Sequence, residues 1–184
     1  MNETPWLIVP MAGFGKRFRD AGYTDDKPLI EVGGRCLLDW SLQPIPPAWR
    51  KKLIAIVRDD QTVLQDELRD GLWSDGADML DMECIAIHGP TQGAACTVLA
   101  AAVGLPPDDP VCVMNADQWF KIGMQDYAEA EISTLGGLHE LALAARWDGF
   151  ILTFPGRGPA WSYAVTNGTN RVVHVIEKKE VSPY

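Results

Sequence analysis

Four short apolar runs in the first two thirds of the chain constrain its fold more than any other feature. They are Trp6–Met11, Leu53–Val57, Cys84–Ile87 and Val111–Met114. Uninterrupted runs of this length are typical of strands that are buried on both faces of a parallel sheet. The segments between them have helical spacing, and the predicted helices are Leu37–Leu42, Thr62–Leu72 and Ala94–Val103. This alternation predicts an α/β fold with parallel strands.

The pattern changes after Asp117, and the C-terminal third predicts antiparallel strands. A mixed stretch over 123–146 predicts two helical pieces. The strand-like runs that follow it are Phe150–Phe154, Trp161–Thr166 and Arg171–Ile176. The last two flank the sequence NGTN at 167–170, and Asn-Gly between extended runs is a strong hairpin signal. We therefore expect a mixed central sheet in a single domain over 1–184.

Composition and charge narrow the class of protein. Apolar residues make up 47% of the chain and charged residues 22%, which is the balance of an ordinary globular protein. The net charge of −9 would repel a phosphate backbone, so we expect no nucleic-acid partner. No apolar run approaches the roughly 20 residues of a membrane span, and the N-terminus lacks the features of a secretory signal. We expect a cytoplasmic protein with no membrane partner, and the oligomeric state, a homo-oligomer included, stays open.

The spacing of cysteines and histidines does not indicate a metal or nucleophile site. The residues concerned are Cys36, Cys84, Cys96, Cys112, His88, His139 and His174. The cysteines form no C-x-x-C pair and stand mostly among apolar neighbours, so we expect buried free thiols. The histidines are isolated from one another in sequence, and we expect them to be structural.

The segment AGFGKRF, which follows the first apolar run, is the first candidate site. Its candidate nucleotide-binding residues are Ala12, Gly13, Gly15 and Lys16, and Arg17 is a candidate catalytic residue. Glycines at such a turn let backbone N–H groups approach phosphate oxygens, and the two cations neutralise charge. A dinucleotide-binding fingerprint would need a third glycine where Phe18 stands, and a Walker loop would need a different spacing. A plain strand-to-helix turn is the alternative interpretation.

The segment DKPLIEVGGR at 26–35 supplies the second candidate, Lys27. Pro28 fixes the backbone after Lys27 and biases that residue toward an extended conformation, which can hold the side chain over a loop. Taken alone, Lys27 is equally well explained as a surface lysine. Together, the G-x-G-x-R-F and K-P-L-I-x-V spacings resemble the N-terminal signature of the sugar-phosphate nucleotidyltransferases. The intervening AGY at 21–23 resembles members from capsule and surface-polysaccharide pathways.

Later segments resemble the same family in order and spacing. In TQGAACT, Gln92 and Gly93 resemble a turn that reads the nucleobase, with a helix cap as the alternative. In MNADQ, Asp117 resembles the family's metal-binding aspartate, and the carboxyl end of a strand is where ligands bind in open α/β sheets. Near the C-terminus, Glu177 and Lys178 resemble the residues that hold the acceptor's hydroxyls and phosphate. A structural carboxylate and a solvated charge cluster are the respective alternatives.

The resemblance implies a three-layer, Rossmann-like nucleotidyltransferase domain and a reaction. A phosphorylated acceptor attacks a nucleoside triphosphate, and pyrophosphate leaves. Arg17 with Lys16 would hold the β- and γ-phosphates, Lys27 the α-phosphate, and Asp117 a Mg²⁺ ion. Family members usually continue past the Glu-Lys segment and contribute a second metal-binding aspartate. We therefore expect 1–184 to be either a cut-down piece or a shortened protein, without that continuation.

The sequence also allows or disfavours three other functions. A non-catalytic nucleotide or nucleotide-sugar binding domain is the main alternative, because the second aspartate is missing from 1–184. A glycosyltransferase would favour an Asp-x-Asp pair, whereas Asn115 stands where the first aspartate would be. A dehydrogenase is disfavoured by the absent third glycine. The nucleobase and the acceptor are not determined by the sequence.

Overall fold

The computed structural model describes residues 4–70, 82–122 and 134–177. They fall into two compact units, within Met1–His139 and within Glu140–Tyr184. The strands are β1 (Trp6–Pro10), β2 (Glu31–Val32), β3 (Arg35–Cys36), β4 (Leu53–Arg58), β5 (Met82–Ile87), β6 (Val111–Val113), β7 (Tyr163–Thr166) and β8 (Val172–Ile176). The helices are α1 (Lys16–Asp20), α2 (Leu37–Leu42), α3 (Pro47–Arg50), α4 (Thr62–Asp70), α5 (Ala94–Ala102) and α6 (Leu135–Ala144), and Lys27–Leu29 forms one 3₁₀ turn.

A four-stranded parallel sheet, in the order β5-β4-β1-β6, organises the first unit. Leu7 of β1 lies opposite Leu53 of β4, and Trp6 lies opposite Val111 of β6. All four predicted apolar runs are strands, which confirms the α/β fold class. Because the strands are parallel, their carboxyl ends meet at one edge of the sheet, where ligands bind in such folds.

Helices cover both faces of this sheet and give it three layers. Alternate residues of β1 point to opposite faces. Leu7 and Val9 belong to a buried cluster that includes side chains of α2, α3 and α4. Ile8 belongs to a second cluster, with Ile54 and Ile56 of β4 and with Ala101 of α5. The predicted helix boundaries agree within two residues for α2 and α5, and residues 71 and 72 of the third lie outside the described residues.

The second unit contains the predicted hairpin. Tyr163 of β7 lies opposite Ile176 of β8 in an antiparallel pair. The side-chain oxygen of Asn167 accepts hydrogen bonds from the N–H groups of Thr169 and Arg171, both at 3.0 Å, and so closes the turn. Antiparallel pairing thus occurs in the C-terminal third, as predicted. In the described residues, however, it forms a two-stranded sheet of its own, because this local turn pairs the strands with each other.

Two smaller predictions are wrong. Residues 150–154 do not form a strand, since no described strand pairs with them and their apolar side chains are exposed. The four cysteines are free, as expected, but Cys84 and Cys96 are exposed rather than buried. Cys84 lies on β5, which is an edge strand of the sheet, and edge strands bury less surface. Of the predicted helical pieces in 123–146, α6 is present, and 123–133 lies outside the described residues.

No helix among the described residues has the length and apolarity needed to cross a bilayer.

Candidate active site at the carboxyl edge of the sheet

The glycine loop leaves β1 at this edge. Met11 and Ala12 are buried, whereas Gly13 and Phe14 are exposed. Gly15 has a φ of 58°, in the left-handed region that favours glycine, and it immediately precedes α1. A Cβ atom on Gly15 would stand 3.4 Å from Cβ of Lys27, so this backbone also passes close to the second motif. Lys16 and Arg17 follow in the first turn of α1 and are exposed.

Lys27 and Asp117 form an ion pair between two of the predicted motifs. Nζ of Lys27 lies 2.5 Å from Oδ2 of Asp117, and each side chain is about 30% exposed. Nζ also lies 5.6 Å from the centroid of the Phe18 ring, which belongs to the helix after the glycine loop. Pro28 is buried, and Lys27 begins a 3₁₀ turn, so the expectation of an extended conformation at Lys27 is wrong. The structure therefore brings Gly15, Lys27 and Asp117 together from three separate segments.

The turn after β6 fixes the position of Asp117. Ala116 is buried, and the N–H group of Gln118 donates to Oγ of Ser41, a fully buried residue of α2, at 3.0 Å. Nδ2 of Asn115 donates to Oε1 of Gln118 at 2.9 Å. A cavity of about 340 Å³ opens beside the carboxylate. Its lining residues are Val32, Leu37, Trp40, Asp117 and Trp119.

The segment predicted to read a nucleobase opens α5. Gly93 is the residue before the helix, and Gln92 is exposed. Oγ1 of Thr91 lies 2.6 Å from Oγ1 of Thr97 and donates to the carbonyl oxygen of Gly93 at 2.9 Å. These contacts close the turn before the helix, but Gly93, at the cap position, makes no side-chain capping hydrogen bond. A role for Gln92 and Gly93 in base recognition stays a prediction.

The acceptor-binding prediction is not tested by the structure. Glu177 follows β8 in the second unit and is exposed, and Lys178 lies outside the described residues.

Sequence reasoning missed a buried polar network beside the glycine loop. Arg58 ends β4 and is 2% exposed. Its Nη1 donates to the carbonyl oxygens of Ala12 at 3.0 Å and Gly13 at 2.9 Å. Gln61, which is 3% exposed, accepts from the Arg58 N–H at 2.8 Å and donates to Oδ1 of Asp26 at 2.9 Å. The sequence signal that could have indicated this network is an arginine directly after a fully apolar run.

A second polar pair lies beyond the ends of β4 and β5. Nδ1 of His88 and Oδ2 of Asp59 are 2.7 Å apart. The hydrogen bond between them raises the pKa of His88 and lowers the pKa of Asp59. Both groups are exposed, so solvent screens the interaction.

The fit of Mg²⁺ to this edge can be judged from the donors present. The described residues contain no cluster of three or more His, Cys, Asp or Glu side chains that could hold a metal ion. Asp117 alone therefore does not form a protein-only cage. Mg²⁺ commonly takes one or two carboxylates and completes its coordination with water and substrate phosphates. Asp117, which is paired with Lys27, fits such an ion only together with phosphate oxygens of a bound nucleotide.

Comparisons with known proteins bear on the fold of the chain. No protein-family model and no curated protein matches the chain. The nucleoside-diphosphate-sugar pyrophosphorylase from Vibrio cholerae RC9 is similar in structure, with a TM-score of 0.66 and 26% sequence identity, over 96% of this chain and 68% of that one. The 4-diphosphocytidyl-2C-methyl-D-erythritol synthase from Anaerococcus prevotii DSM 20548 gives a TM-score of 0.42 and 16% identity, over 94% of this chain and 64% of that one. The first likeness shows a Rossmann-like nucleotidyltransferase fold.

Proposed function

We propose that the protein is a nucleotidyltransferase that joins a nucleoside triphosphate to a phosphorylated small molecule and releases pyrophosphate. The observation that supports this most is the convergence of Gly15, Lys27 and Asp117 at the carboxyl edge of a parallel sheet. The likeness to a nucleoside-diphosphate-sugar pyrophosphorylase over 96% of the chain supports the same reaction class.

The reaction needs charge stabilisation and positioning more than covalent help from the protein. An oxygen of the acceptor's phosphate forms a bond to the α-phosphorus, and the bond from that phosphorus to the bridging oxygen breaks. The electron pair leaves with pyrophosphate. No general base is required, because the attacking phosphate is already ionised.

The cations of the site have distinct roles in this proposal. Arg17 and Lys16 bind the β- and γ-phosphates and stabilise the charge on the leaving group. Lys27 acts at the α-phosphate, and this phosphate would then lie between the glycine loop and Asp117. Mg²⁺, when bound, would neutralise phosphate charge, with Asp117 as its protein ligand. These cations matter the more because the net charge of the chain is −9.

The finer assignment concerns the acceptor and the pathway. We propose a sugar phosphate as the acceptor and surface-polysaccharide synthesis in the cytoplasm as the setting, since the AGY motif at 21–23 resembles that branch of the family. Glu177 and Lys178 would contact the acceptor. The cavity beside Asp117 gives room for the part of a small molecule that is not phosphate.

A non-catalytic nucleotide or nucleotide-sugar binding domain is the second candidate. The Lys27–Asp117 ion pair favours it, because each side chain neutralises a charge that catalysis would use. A binding domain would show nucleotide affinity without turnover.

A panel of the triphosphates of cytidine, uridine, thymidine and guanosine, each paired with phosphorylated sugars, tests the proposal. Pyrophosphate release is measured with Mg²⁺ present, and each triphosphate without acceptor is the control. We expect release that requires both substrates. Calorimetric binding of a triphosphate without any release across the panel would establish the binding domain instead, and no binding of any triphosphate would reject both functions.

A further inference from the structure

We infer that Arg58 is a positioning residue. It directs two N–H groups of the glycine loop toward the phosphates and fixes the position of the loop relative to Lys27. The ligand in this inference rests on the proposed function. The orientation of the loop does not, because it follows from hydrogen bonds within the chain.

Arg58 is built into the fold as a directional donor. Its side chain is 2% exposed at the end of a strand whose other residues are all buried and apolar. Besides the two loop carbonyls, it contacts Asp60, whose Oδ1 accepts from Nε at 2.8 Å. Burying a guanidinium is unfavourable unless its donors are satisfied, and an apolar side chain would fill the same space without that penalty. The structure therefore retains a charged donor where packing alone does not require one.

The two carbonyl contacts determine where the loop amides point. A peptide group is planar and trans, so its C=O and N–H point in opposite directions. The carbonyl of Ala12 shares its peptide group with the N–H of Gly13, and the carbonyl of Gly13 shares its group with the N–H of Phe14. Because Nη1 of Arg58 binds both carbonyls, both N–H groups are directed away from Arg58.

These two N–H groups have no hydrogen-bond partner within 4–70, 82–122 and 134–177. Gly13 and Phe14 are exposed. Successive N–H groups on a concave loop bind anionic oxygens. Phe14 also covers Arg58, with the guanidinium carbon 4.8 Å from the ring centroid, so the loop is held by a cation–π contact as well.

Gln61 extends this arrangement to the second motif. It links the backbone of Arg58 to the carboxylate of Asp26, the residue before Lys27. Asp26 in turn accepts the N–H of Leu29 on its backbone carbonyl at 2.8 Å, which closes the 3₁₀ turn. The glycine loop and the Lys27 turn are thus both fixed to the carboxyl end of β4.

The test compares Arg58→Met and Arg58→Lys with the matched control Arg50→Met. Arg50 also donates to backbone carbonyls, those of Leu42 and Ile45, but at the end of α2 and not at the loop. Three quantities are measured: ¹⁵N order parameters at Gly13 and Phe14, affinity for inorganic pyrophosphate by calorimetry, and the thermal unfolding midpoint.

In the wild type we expect loop order parameters of about 0.85, falling below about 0.6 in Arg58→Met. Pyrophosphate affinity should fall roughly tenfold or more, as for a hydrogen-bonded charged ligand that loses its preorganised donors. Arg58→Lys, which keeps the charge and provides one donor group, should lie between the two. Arg50→Met should lower the unfolding midpoint alone.

The inference is overturned if Arg58→Met lowers only the unfolding midpoint and matches Arg50→Met in loop order and affinity. If Arg58→Met does not fold, Arg58→Lys and Gln61→Leu decide by the same readouts. A wild type that fails to bind pyrophosphate and every triphosphate argues against the proposed function and overturns the phosphate part of the inference. Equal binding by wild type and Arg58 variants overturns the inference and leaves the proposed function standing.

Discussion

The two strands that flank β1 are built differently. On one side, all six residues of β4 are buried, and the strand ends in Arg58 with its network of hydrogen bonds. On the other side, β6 has three residues, and Val111 and Val113 are each 51% exposed. Beyond β6, Asp117 is held by an ion pair with Lys27, and neighbouring Trp119 is 57% exposed.

This difference indicates a division of labour within the site. The glycine loop is fixed by buried donors, so its shape exists before any ligand binds. The backbone of Asp117 is fixed by its turn, but its side chain is held by a partly exposed ion pair with Lys27, and such pairs contribute little to stability. Under the proposed function, that pair would exchange partners when a triphosphate binds. Under the same proposal, the β4 side would preorganise phosphate binding, and the β6 side would provide the carboxylate that rearranges with the ligand.

The largest expected effect comes from Asp117→Asn. We expect metal-dependent turnover to fall by about 10²–10³-fold or more, as when a preorganised electrostatic group is removed from an active site. The free energy of unfolding should change by no more than about 1 kcal/mol. The measurement is pyrophosphate release during a Mg²⁺ titration, beside thermal unfolding.

Asp66→Asn is the matched control for this variant. Asp66 is also paired with a cation, Arg69, but on the surface of α4. It should leave turnover unchanged. Equal Mg²⁺ dependence in wild type and Asp117→Asn would assign Asp117 a structural role, and the binding domain would become the preferred function.

Loss of single cations should have the next largest effect. Arg17→Ala and Lys27→Ala should each weaken triphosphate binding by roughly 1.5–3 kcal/mol, the contribution of hydrogen bonds to charged groups. Arg69→Ala serves as the control for loss of a positive charge. Unchanged calorimetric affinity in both variants would show that the triphosphate does not bind at this edge of the sheet. The proposed difference in role between the β4 and β6 sides would then fail as well.

The same substitution on the two flanking strands measures the contrast in packing. Val57 of β4 is 0% exposed, whereas Val113 of β6 is 51% exposed. Val57→Ala should lower the free energy of unfolding by roughly 1.5–3 kcal/mol, through lost burial and the cavity left behind. Val113→Ala should cost under about 1 kcal/mol. Similar losses in chemical denaturation would show that β6 is as tightly packed as β4.

Much of the fold was predictable because apolar periodicity reports burial directly. The four runs of the parallel sheet and the hairpin at Asn167 were identified from sequence, since both depend on local patterns. The strand predicted at 150–154 was not confirmed, because strand formation needs a partner and an apolar run does not reveal one.

Candidate site residues could be predicted only where they belong to a recognisable sequence motif. Lys27 and Asp117 were singled out separately, and the sequence did not show that they meet at 2.5 Å. Arg58 and Gln61 were missed because their role depends on contacts with residues 45 and 35 positions away. A buried polar residue leaves no periodic signal, and its partners are known only once the chain is folded.

The exposed pair of His88 and Asp59, beyond β4 and β5, should contribute little to the stability of this side of the sheet. The pKa of His88 is raised above its ordinary value of 6.5, so the stabilisation is complete below that pH and is lost as pH rises through the raised pKa. The pKa of Asp59 is lowered from 3.8, so its contribution is present above 3.8 and is lost as pH falls through the lowered pKa. The pair stabilises most between these ordinary values.

His88→Gln should therefore have the smallest effect of the series. Removing the ion pair should lower the unfolding midpoint slightly at about pH 5 to 6, which lies between the ordinary values of 3.8 and 6.5, and should leave it unchanged well above the raised pKa of His88. The change should stay smaller than that of Val57→Ala, because both partners are exposed and solvent screens them. Thermal unfolding of both variants across this pH range provides the measurement. Added salt should diminish the effect of His88→Gln but not that of Val57→Ala. A loss at about pH 5 to 6 as large as that of Val57→Ala would mean that the surface pair stabilises the β4 side of the site as much as buried packing does.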